Sequence, residues 1–276
     1  MTVLRVRIDG QPRAVEDAVI PVTDEGLLRG DGVFEVLRLY AGRVFALDQH
    51  LERMERSADG LRLPFDAAAA REDVEVLEAT ADGADAIVRL VSTRGGRRIA
   101  LLETVPPMPA TVRLATVTFS PSGPLDGCKT LSYAANALAT RLAIEDGADQ
   151  ALFVRPDGDV LEGPNFAVFL GFAADAPLVT PPLSAGILDS ITRRRLIGLV
   201  PVVERPVHAA ELRHVEEAFV ASTLREVLPV RAIDGRAIGR VPGPRTSDAE
   251  RAFSAHVAQQ TATFAATTVG EGRAPA

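Results

Sequence analysis

The sequence of 276 residues predicts a mixed α+β (α/β) fold built in two units. Three features carry that prediction. Several runs alternate apolar and polar residues at period two, as half-buried strands do. Between them lie runs whose apolar residues recur every three or four positions, as helices require. One segment, SPSGPLDG (120–127), holds two prolines and two glycines and reads as a linker between a unit at 1–119 and a second at 128–276. The length suits about two domains at roughly 150 residues each, or one large one.

Taken in order, VLRVRIDGQ opens the chain with strand alternation and turns at Asp9-Gly10. VFEVLRLYAGRVFAL (33–47) repeats the pattern with a turn at Ala41-Gly42. Asp48 stands where a cap belongs, before a helix marked by Leu47, Leu51, Met54 and Leu61. ADAIVRLVSTRG (84–95) and ATVRLATVTF (110–119) are strand-rich runs. Beyond the linker, Leu131, Ala135, Leu138 and Leu142 predict one buried helix face, stopped near Gly147. Strands follow at QALFVRPDGDVLEG and AVFLGF, a helix at 190–199, a strand at EEAFVAS and a hairpin at LPVRAIDGRAIG. From about 261 the small-residue, Gly/Pro-containing end reads as a frayed tail.

Composition limits the function. At 47% hydrophobic the chain can bury a sizeable core, and a net charge of −7 argues against nucleic acid or an anionic membrane as partner. A single cysteine, Cys128, excludes an internal disulfide and fits a reducing compartment. Charges interrupt the N-terminus where a signal peptide is apolar, and no run of about 18 apolar residues occurs. A cytoplasmic location is the expectation.

Of the 30 basic Lys and Arg residues, Lys129 alone is lysine. Guanidinium stays protonated, whereas an amine can lose its proton and act as base or nucleophile, so Lys129 marks either chance or a need for a neutral amine. Glu162, between Leu161 and Gly163-Pro164, reads first as a local turn or cap residue, since charged residues usually stay exposed, with a buried carboxylate as the alternative. LDSITRRRL (188–196) starts a helix with Asp189 or Ser190 as cap, leaving the amides of Ile191 and Thr192 free for an anion. Ser222-Thr223 puts two hydroxyls at a strand end, and Arg53 lies beside the buried positions of its helix, where a surface arginine is the first reading and an inward one the alternative. The four histidines lack zinc-ligand spacing, and neither GDGVFE nor STRGG matches a nucleotide loop. No Gly-x-Ser-x-Gly elbow is present, and no histidine is placed to activate Cys128.

Six motifs then fall in register: GDGVFEVLR (30–38), HLERMERSA (50–58), CKTLSYAANALA (128–139) with GADQALF (147–153), DGDVLEGP (157–164), SAGILDSITRRRL (184–196) and FVASTLREVLPV (219–230). Their order and spacing resemble the class IV, fold-type IV aminotransferases over roughly residues 3 to 250. That group uses pyridoxal phosphate and includes branched-chain and D-amino-acid aminotransferases and aminodeoxychorismate lyases. The resemblance implies a small α/β N-terminal domain, a larger domain with a pseudo-barrel β core, and a homodimer.

The same resemblance implies that Lys129 forms the internal aldimine and moves the proton, and that Glu162 pairs with the pyridine nitrogen. Arg53, Ile191, Thr192, Ser222 and Thr223 correspond to the phosphate cup, and Tyr133 to the tyrosine that hydrogen-bonds the ring oxygen. Phe34 and Leu224 are expected on the substrate side, and Arg225 either there, binding a substrate carboxylate, or pointing outward as a surface arginine. Three departures stand out: Asn165-Phe166-Ala167 after Glu162-Gly-Pro, Ser190 where glycine is usual, and Arg225 where small residues are common. The 91–101 region has neither the Tyr-x-Arg nor the Arg-x-His pattern that marks typical L- and D-enzymes. The reading is a ping-pong transaminase acting on an amino acid or amine and a 2-oxo acid. Aminodeoxychorismate lyase is the alternative, and Phe34-Glu35-Val36, where many lyases have Phe-Glu-Thr, favours transamination.

Overall fold

The computed structural model describes residues 1–121 and 123–270, with backbone alone for 263–270. Six strands form the first sheet: β1 (Val3–Ile8), β2 (Gln11–Arg13), β3 (Gly32–Tyr40), β4 (Arg43–Val44), β5 (Ala86–Thr93) and β6 (Arg98–Glu103). They lie in the order β2-β1-β6-β5-β3-β4, antiparallel throughout. The β1–β2 turn places Asp9 at φ 52° and Gly10 at φ 79°, the paired left-handed conformation of a tight two-residue hairpin.

Helices α1 (Glu25–Arg29), α2 (Leu47–Gly60) and α3 (Ala67–Ala79) complete this unit. Strand alternation sends Val33, Leu37 and Leu39 of β3 to one face, where they bury against Leu51 and Met54 of α2 and Val74 and Leu77 of α3. The α2 cap differs from the expectation. Ala46, in a left-handed conformation, precedes the helix, and Asp48 lies in its first turn, bound to Arg71.

Eight strands form the second sheet: β7 (Val112–Thr118), β8 (Gln150–Val154), β9 (Ala167–Gly171), β10 (Leu178–Thr180), β11 (Val202–Glu204), β12 (Glu217–Ser222), β13 (Glu226–Ile233) and β14 (Arg236–Ala237). Their order is β11-β10-β9-β12-β13-β7-β8, with β14 on β13. Strands β8 and β11 do not pair directly; the 158–162 segment spans the gap, bridging Val154 to Val160 on the β8 side and Asp159 to His208 just beyond β11, where the Val160 amide also donates to the Val207 carbonyl at 2.8 Å. Strand β7, assigned from the sequence to the first unit, pairs in parallel with β8 and β13. The chain therefore changes sheets at 104–111, upstream of 120–127, because β7 carries Val112 and Leu114 into the second core.

Helices α4 (Ala134–Glu145), α5 (Ile191–Leu199) and α6 (Pro244–Gly270) pack around that sheet. Strands β9 and β12 are covered on both faces. Val168 and Val220 join one core, while Phe169 and Phe219 stack at 4.7 Å in another with Leu196 of α5 and Phe253 of α6. The α4 face also departs from the expectation. Ala139 and Ala143 are buried, whereas Leu138 and Leu142 are 49% and 41% exposed. Small alanines let α4 lie close to Ala115 and Ala151, and the leucines point away from this chain's core. The expected tail is helical over 261–270 as the end of α6, and its remainder, 271–276, lies outside the described residues.

Candidate active site

The central residue, Lys129, is held by backbone bonds to the first sheet although it follows a strand of the second. The Phe34 amide donates to the Lys129 carbonyl at 3.1 Å, and the Leu131 amide to Gly32 at 2.8 Å. A side chain on Gly32 would collide with Leu131 and with the Ser92 carbonyl, which explains glycine there. The Lys129 amide donates to Ser57 Oγ at 3.0 Å, and that hydroxyl donates to the Arg53 carbonyl one turn back on α2 at 2.9 Å.

The Lys129 side chain projects into a cavity of about 630 Å³ lined by residues from both sheets. Its Nζ lies 4.3 Å from the centre of the Phe34 ring, which meets Tyr133 edge-on at 5.4 Å. Burial pushes the amine down to about 8, with Glu35 opposing and Arg53 reinforcing the shift. Glu162 faces the same environment with the opposite result: burial pushes its carboxyl up to about 7. The Leu188 amide, at 2.9 Å, is its one hydrogen-bond donor among the described residues.

Arg53 is buried, with 5% exposure. Its guanidinium grips Glu35 with two bonds of 2.7 Å and donates a third, of 3.1 Å, to the Asp189 carbonyl at the start of α5. His50 Nδ1 completes the cluster at 2.8 Å from Glu35. Burial alone would raise the Glu35 carboxyl; Arg53 and then His50 outweigh it and hold the group far below the usual range. Burial lowers His50, against the opposing pull of Glu35.

Ser190 is the observed cap of α5, its hydroxyl accepting from the Arg193 amide at 3.3 Å. The amides of Ile191 and Thr192 have no acceptor among the described residues, and their side chains are buried. Ser222, Thr223, Leu224 and Arg225 line the cavity from the β12–β13 turn. Arg225, whose orientation the sequence left open, donates to Asn165 Oδ1 at 2.8 Å and lies 5.3 Å over the Phe166 ring. The Tyr133 hydroxyl, assigned by resemblance to a cofactor oxygen, donates to the Pro164 carbonyl. Burial and then Asp126 raise the Cys128 thiol, which disfavours a thiolate nucleophile.

Sequence reasoning missed Glu35, His50 and Arg89. Glu35 sits in phase with Val33, Leu37 and Leu39, and an acid on the apolar face of a strand calls for a buried cation. Arg89 on β5 lines the cavity two residues before the 91–101 region and pairs with Glu103 at 3.0 Å.

The family model for class IV amino-transferases matches residues 32–233, which contain every residue of this site. The chain belongs to the class IV aminotransferases. A putative branched-chain-amino-acid aminotransferase from Methanocaldococcus jannaschii is 33% identical over 260 residues, covering 85% of this chain and 90% of that protein. A bifunctional aminodeoxychorismate lyase / D-amino acid transaminase from Mycobacterium tuberculosis is 30% identical, covering 86% and 93%. The pyridoxal-phosphate-bound structure of a hypothetical aminotransferase from Mycobacterium tuberculosis superposes with TM-score 0.84 at 27% identity, covering 93% and 100%.

Class IV aminotransferases use pyridoxal 5′-phosphate, and the donor set here fits it. Two orphan amides and a buried guanidinium suit a phosphate. A carboxylate short of donors suits a protonated ring nitrogen, and an amine lowered to about 8 suits an aldehyde. This class IV transaminase moves an amino group between an amino acid and a 2-oxo acid.

Proposed function

We propose that Lys129, Glu162, Arg53 and Arg225 divide the work of transamination in this cavity. The carrying observation is their convergence on one space from four separate chain segments. Arg53, the amides of Ile191 and Thr192, and the hydroxyls of Ser222 and Thr223 hold the cofactor phosphate. Glu162 keeps the proton on the ring nitrogen, and Phe34 and Tyr133 wall the ring on the Lys129 side. When bound, the cofactor supplies a sink for the electron pair left on the substrate Cα. Lys129 would hold the cofactor until the substrate amine displaces it, and the freed side chain would then take the Cα proton and return it elsewhere, which requires the uncharged amine that its burial favours.

Arg225 binds the substrate carboxylate, with Leu224 beside it; a forked guanidinium matches a carboxylate, and Asn165 already fixes its plane. The exposed Leu138, Leu142 and Ile144 of α4 support a homodimer, and the composition supports a cytoplasmic enzyme.

The decisive measurement is an absorbance titration of the cofactor-loaded enzyme with L- and D-amino acids. One hand should convert the aldehyde form of the cofactor to the amine form and release the matching 2-oxo acid. Arg225→Ala should raise KM for amino and 2-oxo acids far more than for simple amines, which have no carboxylate. No conversion by either hand, with pyruvate released from aminodeoxychorismate, would replace the transaminase reading by the lyase.

A further inference from the structure

Tyr40 closes β3 at a distance from the reacting groups, yet its hydroxyl crosses between the sheets to donate to Glu226 Oε1 at 2.9 Å. Glu226 starts β13 immediately after Thr223-Leu224-Arg225, the turn between Ser222 and Glu226, which pair across the hairpin. Its φ is 52°, a left-handed conformation. Three-residue hairpin turns commonly close on such a residue, and glycine suits that place because an L side chain is strained there. Glutamate therefore sits where the backbone would favour glycine, and its carboxylate is the group that reaches Tyr40.

Tyr40 is braced in turn. Phe45 meets its ring edge-on at 5.8 Å, and the Arg38 guanidinium lies 5.1 Å over it, held by Asp85 at 3.1 Å. The ring packs in the same apolar cluster as Val227, the residue after Glu226. Burial, then the Glu226 carboxylate, raise the hydroxyl far above its ordinary range, so it remains a donor at working pH. The other ties of the turn, Arg225 N–H to Ser222 Oγ at 3.2 Å and Arg225 to Asn165, reach second-sheet segments alone.

We propose that the Tyr40–Glu226 hydrogen bond is a strut between the two sheets that sets the 223–225 turn, and with it Arg225, against the substrate end of the cavity. Tyr40 and Glu226 are positioning residues, and their role rests on the reading of Arg225 as the carboxylate partner. The left-handed backbone at 226 makes the test unusual, because stability and function should separate.

In the cofactor-loaded enzyme, Glu226→Gly relieves backbone strain while removing the acceptor. Its Tm should not fall, yet KM for the amino acid should rise about tenfold, equivalent to 1.4 kcal/mol. Tyr40→Phe should give a similar KM rise with kcat little changed. The double variant should be no worse than either single one, since both break the same bond. KM within about twofold of wild type in Tyr40→Phe, or independent effects that multiply in the double variant, would overturn the strut. A Tm loss above about 5 °C in Glu226→Gly would likewise overturn it, by making the contact one of plain stability. Arg225→Ala separates the two claims. A raised KM there, with Tyr40→Phe unchanged, sinks the strut alone. An unchanged KM in Arg225→Ala sinks the Arg225 reading and the strut's purpose with it.

Discussion

Replacing Glu35 by glutamine removes the negative charge from the most enclosed ionic cluster of the site. Glu35 has 0% exposure and takes bonds of 2.7, 2.7 and 2.8 Å from Arg53 and His50. In Glu35→Gln the amide oxygen can accept some of these bonds, but its NH2 confronts a guanidinium that accepts nothing. Arg53 cannot shed its proton, so a charge stays buried without its partner. Removing one member of such a pair costs about 3–5 kcal/mol. At about 2–4 °C per kcal/mol for a chain near this size, Tm of the cofactor-free protein should fall by roughly 6–20 °C at pH 7. Calorimetry of both proteins across pH adds a sign. A carboxyl held low in the folded state stabilises above its unfolded pKa and loses that contribution as pH falls toward the folded value. Wild type and variant should therefore converge as pH drops below the ordinary carboxylate range, about 4.3. A Tm within about 2 °C of wild type at pH 7, or a gap that stays constant into acid, would refute the counter-charge argument.

Lys129, lowered to about 8, should give cofactor capture by the cofactor-free protein a rate that climbs about tenfold per pH unit below 8 and levels off above it. A climb continuing to pH 10 would mean an ordinary, solvated lysine, and borohydride should leave a cofactor adduct on wild type but not on Lys129→Arg. Glu162, pushed up to about 7, penalises the folded state as it ionises, so cofactor-free protein should lose stability as pH rises from the ordinary carboxylate range through 7. Glu162→Gln should remove that loss and most turnover; an unaltered Tm–pH curve together with normal turnover would make Glu162 a turn residue.

The sequence made the strands around tight turns easy to read. Alternation and the Asp9-Gly10, Ala41-Gly42 and Asp234-Gly235 pairs locate three hairpins that the structure contains. Helix α3 went unread because its alanine-rich start has a weak apolar stripe, and α6 because the tail composition masked its length. Helix α4 was found with its buried face misassigned. Periodicity ranks leucine above alanine, whereas close approach to β7 and β8 favoured Ala139 and Ala143. Within the site, Lys129 was legible because composition isolates it. The exchange of β7 between sheets was not legible, since strand pairing depends on partners far along the chain. Glu35 stood in plain alternation as the one acid of β3, on its buried face, but its meaning needed Arg53 from another element.

The hydroxyl of Ser57 joins the backbone of Arg53 to the backbone of Lys129. The guanidinium and the amine that line the cavity are thus gauged against a single turn of α2, like two marks on one ruler. The residues proposed above to face the substrate sit elsewhere, on the 223–225 turn. A substitution at Arg225 alters that turn without touching the Ser57 link between Arg53 and Lys129. A lineage built this way can change what it accepts without rebuilding what it uses.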